Sequence, residues 1–257
     1  MKILVLGAGN MGAFFIDTLC LDFEVAVYDT NPERLKYLFR TIRLETLTQV
    51  QEFAPDLLIN AVSLQYTKPA FDAVLPYIPE TCIISDIASV KTSLPDYYQS
   101  LKHRFVSTHP MFGPTFANIK DLAGQSAIIV KESDPEGKAF FRKFYSKLKI
   151  NIYDYSFAEH DETVAYSLSI PFSSSFVFAA CMKKQEAPGT TFKKHMAVAK
   201  GLMSENDYLL SEIMLNPYTL PQIENIQQKI THLIEMIKSQ DTEALHRFFA
   251  ELRKNIS

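Results

Sequence analysis

Lys2-Ile3-Leu4-Val5-Leu6-Gly7-Ala8-Gly9-Asn10-Met11-Gly12 is the stretch on which the reading of this chain turns. After Lys2, Ile3-Leu4-Val5-Leu6 form an apolar run of strand length; the remainder fits G-x-G-x-x-G and opens a segment of helical period. Each glycine meets a physical demand: Gly7 permits a tight turn, Gly9 lets the backbone approach a pyrophosphate, and Gly12 lets helix and strand pack closely. The anion then rests on unpaired N–H groups at the positive end of the helix, where Asn10 and Met11 stand. A second strand ends at Tyr28-Asp29, about twenty residues on, where an acid accepts from the adenine ribose hydroxyls and repels a 2′-phosphate. NAD is therefore expected over NADP, although Arg34 lies near. The blander reading is a glycine-rich turn with Asp29 capping the next helix at Asn31-Pro32-Glu33. Val62-Ser63 ends the next strong strand, at the edge where such ligands lie; alternatively Ser63 only caps the helix after it.

Outward from this stretch, strand-length runs alternate with helix-period segments. Strands are expected at Lys2–Leu6, Glu24–Tyr28, Asp56–Ala61, Cys82–Asp86, Arg104–Ser107, Ser126–Val130 and Lys149–Tyr153, with a weak one near Ile42–Glu45. Runs such as Leu57-Leu58-Ile59 are apolar on both faces, which suits a parallel sheet covered by helices on each side. Residues 1–155 hold six of the eight Gly and nine of the thirteen Pro, and turn-rich sequence gives way near 155 to sequence of helical period. Ile223, Ile226, Ile230, Leu233, Ile234 and Ile237 fall at spacings of three and four, as do Leu245, Phe248, Phe249 and Leu252. Helix breaks are expected near Pro188-Gly189, Asn216-Pro217 and Ser239-Gln240-Asp241, with Asp241 as a cap. The expected fold is α/β: a Rossmann-like, doubly wound, mostly parallel sheet domain over residues 1–155, then an all-helical domain over 156–257.

The composition narrows the function. Of 257 residues 47% are hydrophobic and 21% charged; the net charge of −3, without a basic block, speaks against a nucleic-acid or membrane-surface partner. No consecutive apolar run approaches the ~20 residues that cross a bilayer, and the start resembles no signal peptide. Cys20, Cys82 and Cys181 are far apart and form no C-x-x-C pair, so they read as reduced core residues of a cytoplasmic protein with no metal site.

Two segments past strand ends carry candidate chemistry. His103, His195, His232 and His246 sit among charged residues on expected helices, where solvation is the simpler reading. His109 differs: it follows Arg104-Phe105-Val106-Ser107 in the rigid run Thr108-His109-Pro110-Met111-Phe112-Gly113-Pro114. A loop there borders the nicotinamide crevice, and an imidazole can take an alcohol's proton as hydride leaves. The other segment is Ser85-Asp86-Ile87-Ala88-Ser89-Val90-Lys91, where Ser89 is expected to bond the imidazole and a substrate hydroxyl, and Lys91 to face an anionic substrate. Against this, Ser89 reads as a helix cap and Lys91 as a solvated side chain.

Together these segments resemble the prephenate dehydrogenase family, which includes arogenate dehydrogenases. The resemblance rests on Gly7–Gly12, the Asp86–Lys91 stretch, Glu159-His160-Asp161 and, most specifically, His109-Pro110-Met111-Phe112-Gly113-Pro114. It implies oxidative decarboxylation of prephenate to 4-hydroxyphenylpyruvate with NAD, in tyrosine biosynthesis. By the same resemblance His109 is the catalytic histidine, Ser89 its partner, Gly113 lies at the substrate, and the helical domain covers the site and forms a homodimer. No appended regulatory or chorismate mutase domain is expected. The sequence departs from the family at Phe172, where a second histidine is usual, and at Gly201, where an arginine pairs with a substrate carboxylate. Lys193 and Lys200 are the expected compensating cations, ahead of Lys194 and His195, although a Lys lacks the bidentate fork of Arg and the four read equally as a solvated helix face. His160 reads as a helix-start or interdomain hydrogen-bonding residue. The alternatives are a dehydrogenase acting on arogenate or another hydroxy acid, and a regulatory module that binds NAD without turnover.

Overall fold

A computed structural model of the chain describes residues 1–112 and 122–257. Strands that are apolar at every position must be covered on both faces, and the chain achieves this by alternating strand and helix. Strands β1 (Lys2–Leu6), β2 (Glu24–Tyr28), β3 (Ile42–Leu44), β4 (Leu57–Asn60), β5 (Ile83–Asp86), β6 (Phe105–Pro110), β7 (Ser126–Val130) and β8 (Asn151–Tyr155) form one sheet among the described residues. Its order is β3-β2-β1-β4-β5-β6-β7-β8, parallel throughout except for the antiparallel pair β6–β7. This is the doubly wound, mostly parallel sheet expected.

The two-residue period of each strand sorts its side chains into two cores. Ile3, Val5, Val27 and Ile59 meet Phe14, Phe15 and Ile16 of α1 (Asn10–Leu19) and Phe141, Phe144 and Tyr145 of α5 (Pro135–Lys147). On the other face Leu4, Leu6, Leu58 and Ile84 meet Val50 and Phe53 of α2 (Leu47–Phe53), Phe71 of α3 (Thr67–Val74) and Leu94 of α4 (Leu94–Gln99). Phe15 and Phe144 stack at 5.4 Å between ring centroids, locking α1 to α5.

The carboxyl edge of this sheet is uneven, and that unevenness positions the site. β5 ends with Asp86 opposite Ser107, while β6 runs on through Thr108, His109 and Pro110, which pair instead with Ile129, Ile128 and Ala127 of β7. The expected end of this strand at Ser107, with His109 in a loop, is thereby corrected. β7 approaches from the far side and supplies the backbone partners that a free loop would lack.

The chain divides into two compact units, Met1–Asp161 and Glu162–Ser257. The division falls slightly beyond the composition change at 155, because the first turn of α6 (Phe157–Val164) bonds into the first unit through His160 and Asp161. In the second unit, residues Ala165–Ser169 form a π-helical turn that leads into α7 (Ile170–Cys181). Pro171, which lacks an N–H, stands just past the irregular turn. Next come α8 (Thr190–Leu202), α9 (Asp207–Met214), α10 (Thr219–Lys238) and α11 (Thr242–Asn255). The expected breaks near 188, 216 and 240 are observed, and Asp241 caps α11 by accepting from the Ala244 N–H at 2.8 Å.

Two expectations are corrected in this region. The 25-residue helical run Phe157–Cys181 has a mean hydropathy of 1.4 in its most apolar window, long and apolar enough to cross a membrane. A search for unbroken apolar runs passes over it because serines interrupt the apolar residues, whereas the average over a window does not; Ser173 and Ser174 donate back to the carbonyls of Ser169 and Pro171. Cys181, expected in the core, ends α7 exposed.

Phe15 is wholly buried at the centre of the α1–α5 aromatic cluster, so Phe15→Ala should lower the free energy of unfolding by about 3–5 kcal/mol in urea titrations.

Candidate active site

At the carboxyl end of β1 the chain turns sharply through Gly7, whose φ of +90° is one that other L-residues rarely adopt. A Cβ on Gly12 would lie 1.9 Å from the Gly7 carbonyl oxygen, so helix and turn touch backbone to backbone there. Gly9 is different: a Cβ built on it meets no protein atom within 4 Å and would protrude into open space. The Ala13 N–H bonds the Gly9 carbonyl at 2.8 Å, leaving the N–H groups of Asn10, Met11 and Gly12, in the first turn of α1, without intrahelical acceptors. This is the donor set that a pyrophosphate needs, with the space to receive it.

Gly7, Gly9, Asp29, Arg34, Val62 and Ser63 line one cavity of about 490 Å³. It lies at the switch point of the sheet, where β1 has β2 on one side and β4 on the other. Met11 packs into the core and Gly12 is buried, so they reach the phosphate position only through backbone. Asp29 serves the fold as well as the cavity: it accepts from the Ala8 N–H at 2.7 Å and from the Asn31 N–H at 2.8 Å. One carboxylate thus ties the phosphate turn to the end of β2, a contact between residues 8 and 29 that sequence reasoning missed. Arg34 stands 3.8 Å from it.

The second group lies where β5 and β6 end. Asp86 is fully buried and accepts from the Tyr98 hydroxyl at 2.6 Å, the Ala88 N–H at 2.9 Å and the Lys91 ammonium. Lys91 is also fully buried and donates to the Thr108 carbonyl at 2.8 Å. It is neither the substrate-facing cation nor the solvated side chain that the sequence suggested. Buried carboxylate and ammonium each need a charged partner, and they are five residues apart across a turn. Burial pulls the Lys91 pKa down, and Asp86 opposes that pull.

His109 is buried, and its Nδ1 lies 2.9 Å from Nε2 of His160. Nδ1 of His160 lies 2.8 Å from Asp161 Oδ1, which also accepts from the Lys91 N–H at 3.0 Å; Asp161 Oδ2 accepts from the Thr92 hydroxyl at 2.8 Å. Among the described residues the ring partner of His109 is therefore His160, and the expected bond from Ser89 is corrected: Ser89 stands half-buried in the turn after β5. β6 runs on past the end of β5 and brings the His109 ring to His160 of α6. His160, read from sequence as a helix-start or interdomain hydrogen-bonding residue, is bonded to the ring of His109. The adjacent pair His160-Asp161 was the one signal available.

Burial first, then the neighbouring His160 and Lys91, hold the His109 pKa well below the ordinary imidazole range, and burial lowers that of His160. Burial alone would raise the Asp161 pKa, but its bonds to His160, Thr92 and the Lys91 N–H keep it below the usual carboxylate value. At neutral pH the arrangement is two neutral imidazoles in series on a carboxylate. Gly113 lies outside the described residues. Lys193 and Lys200 lie exposed on α8 of the second unit; Phe172 is half-buried on α7 against Phe176, and Gly201 is exposed near the end of α8.

Residues 17–134 match the family model described as prephenate dehydrogenase, nucleotide-binding domain. The T-protein of Enterobacter agglomerans is 22% identical over 94% of this chain and 64% of its own length. The chain spans roughly three fifths of the curated relatives it matches. Among solved structures, prephenate dehydrogenase from A. aeolicus in complex with hydroxyphenyl propionate and NAD+ has a TM-score of 0.85 at 20% identity, over 100% of this chain and 98% of that one. Synechocystis arogenate dehydrogenase has a TM-score of 0.79 at 21% identity, over 99% and 98%.

Two consequences can be measured. Lys91→Ala strands the Asp86 carboxylate in the core and should destabilise the fold by about 3–5 kcal/mol in urea titrations. In the unfolded chain His109 and His160 take up protons near pH ~6.5, but in the folded chain they resist, so the unfolded state binds more protons in acid. The melting temperature should therefore fall as pH drops below about 6.5, and less so in His109→Gln.

Proposed function

We propose that this chain, whose residues 17–134 match the nucleotide-binding domain of prephenate dehydrogenase, is an NAD-dependent dehydrogenase that oxidatively decarboxylates prephenate to 4-hydroxyphenylpyruvate. The observation that carries this reading is the position of His109: a buried imidazole held neutral at the carboxyl edge of the sheet that carries the phosphate turn. The N–H groups of Asn10, Met11 and Gly12 would hold the pyrophosphate, Gly9 would leave room for it, Asp29 would accept from the adenine ribose, and Val62 and Ser63 would border the remainder. When bound, the dinucleotide accepts the hydride from C4 of the substrate ring.

The protein's own contribution is a proton and a geometry. His109 takes the C4 hydroxyl proton as that carbon gives up hydride, leaving a ring ketone. The ring carboxylate then departs as carbon dioxide, its bonding electrons enter the ring, and the ketone oxygen regains a proton to become the phenol. Aromatisation drives the reaction, so positioning and charge stabilisation are what the protein must supply. The depressed pKa keeps His109 unprotonated at neutral pH, so the acceptor is present, at some cost in basicity. Ser89, in the turn beside Asp86, is proposed to bond the substrate hydroxyl, and Gly113 to lie at the substrate. Lys193 and Lys200 are proposed as the cations that meet the substrate carboxylates in place of the family's arginine.

A homodimer through the helical unit is part of the proposal. Its apolar stripes are left open within one chain: Ile230, Ile234 and Ile237 on α10 and Phe249 and Leu252 on α11 are all more than 40% exposed. Patches of this kind on a helical surface call for a partner. With a cytoplasmic location expected, a second copy is the natural cover.

The test follows absorbance at 340 nm with prephenate and arogenate, each offered with NAD and with NADP. Turnover is expected with prephenate and NAD; preference for arogenate would move the substrate assignment, and silence in all four with dinucleotide binding intact would favour a non-catalytic module. His109→Ala should retain dinucleotide binding and lose roughly 10²–10⁴-fold in turnover. Equal turnover in the variant would remove His109 from the mechanism.

A further inference from the structure

We infer that His160 and Asp161 form a positioning pair that fixes the ring tautomer of His109, holding its Nε2 free of a proton. The inference rests on the proposed part of His109 as the base, and it is carried by the chain of donors and acceptors behind that ring. An ionised carboxylate only accepts, and Asp161 is pinned as an acceptor from two further sides, by the Lys91 N–H and the Thr92 hydroxyl. The His160 nitrogen 2.8 Å from it, Nδ1, must therefore carry the hydrogen. In a neutral imidazole the other nitrogen is then bare, so Nε2 of His160 is an acceptor. That acceptor lies 2.9 Å from Nδ1 of His109, which must in turn be the donor. One proton is then spoken for, and in a neutral ring Nε2 of His109 has none.

The opposite order fails at its first link. A proton on Nε2 of His160 would leave its Nδ1 lone pair against the Asp161 carboxylate, a repulsive contact in a buried place where water cannot relieve it. His109 would then bear its hydrogen on Nε2 and present a donor to a substrate hydroxyl whose proton it has to accept. Lys91 disfavours a charged resting state of either ring, and Asp86 compensates Lys91. The logic is that of a carboxylate orienting a catalytic imidazole in a triad, with a second imidazole interposed.

The tautomer is readable without turnover. Long-range ¹H–¹⁵N correlation spectra of the ¹⁵N-labelled full chain at about pH 8, above the ordinary imidazole range, should show His109 with its hydrogen on Nδ1; hydrogen on Nε2 overturns the inference. His160→Leu removes the acceptor and should shift His109 toward the Nε2–H form and lower kcat about 10²-fold, with KM for the dinucleotide little changed. His160→Gln places an amide oxygen near the lost Nε2 and should restore both the tautomer and about tenfold of the loss. A folded Leu variant that keeps the Nδ1–H form, or turns over as the parent does, overturns the inference; if that variant does not fold, the parent spectrum decides. A parent with His109 in the Nδ1–H form but no turnover on any substrate would defeat the proposed function and leave the positioning pair standing.

Discussion

An ammonium wholly removed from water must find its compensation inside the protein, and Lys91 finds it by drawing three segments together. Its side chain meets Asp86 at the end of β5 and the Thr108 carbonyl in β6, one residue before His109; its backbone N–H meets Asp161 in the first turn of α6. An unpaired buried charge would cost several kcal/mol, so these acceptors are obligatory and their positions are shared. Lys91 thus joins, by its ammonium and its backbone N–H, the strand that carries His109 and the helix that carries His160. Tyr98 extends the arrangement, with its hydroxyl on Asp86 and its ring stacked on Phe105 at 4.1 Å.

The same burial that makes Lys91 demanding gives His109 its chemistry. A histidine on an exposed loop would be partly protonated near neutrality, whereas one enclosed beside a cation is neutral over a wider range. The uneven edge of the sheet is what encloses it. Had β6 stopped at Ser107 with β5, His109 would sit in water; by continuing against β7 it stays in ordered backbone while its ring meets α6. At the other end of this edge the phosphate turn is fixed by a similar economy, since Asp29 both accepts from Ala8 and lines the cavity.

The second unit follows different physics. Its last helices, α10 and α11, form from periodic apolar patterns, while in α7 Ser173 and Ser174 fold their hydroxyls back onto the helix. Much of its apolar surface lies outside the fold of one chain, which is the basis for proposing a second copy against it. Phe172 and Gly201 lie in this unit at the positions where the family resemblance implies a histidine and an arginine, and Lys193 and Lys200 are the cations proposed there for carboxylate binding.

What the sequence determined by itself is what local periodicity and steric need can encode. Strand-length runs apolar at every position, helices with spacings of three and four, the turn at Gly7 and the close contact at Gly12 all arise from neighbours within a few residues, and so they were legible. Breaks at Pro188, Pro217 and Asp241 were legible for the same reason. The partner of His109 was not, because His160 lies 51 residues away, nor was the bond between Lys91 and Asp161, 70 residues apart. The burial of Lys91 was hidden as well, since a lysine in a turn is ordinarily solvated and only packing by distant segments removes the water. Tertiary structure decided these because a hydrogen bond or an ion pair depends on distance in space, which spacing along the chain does not record.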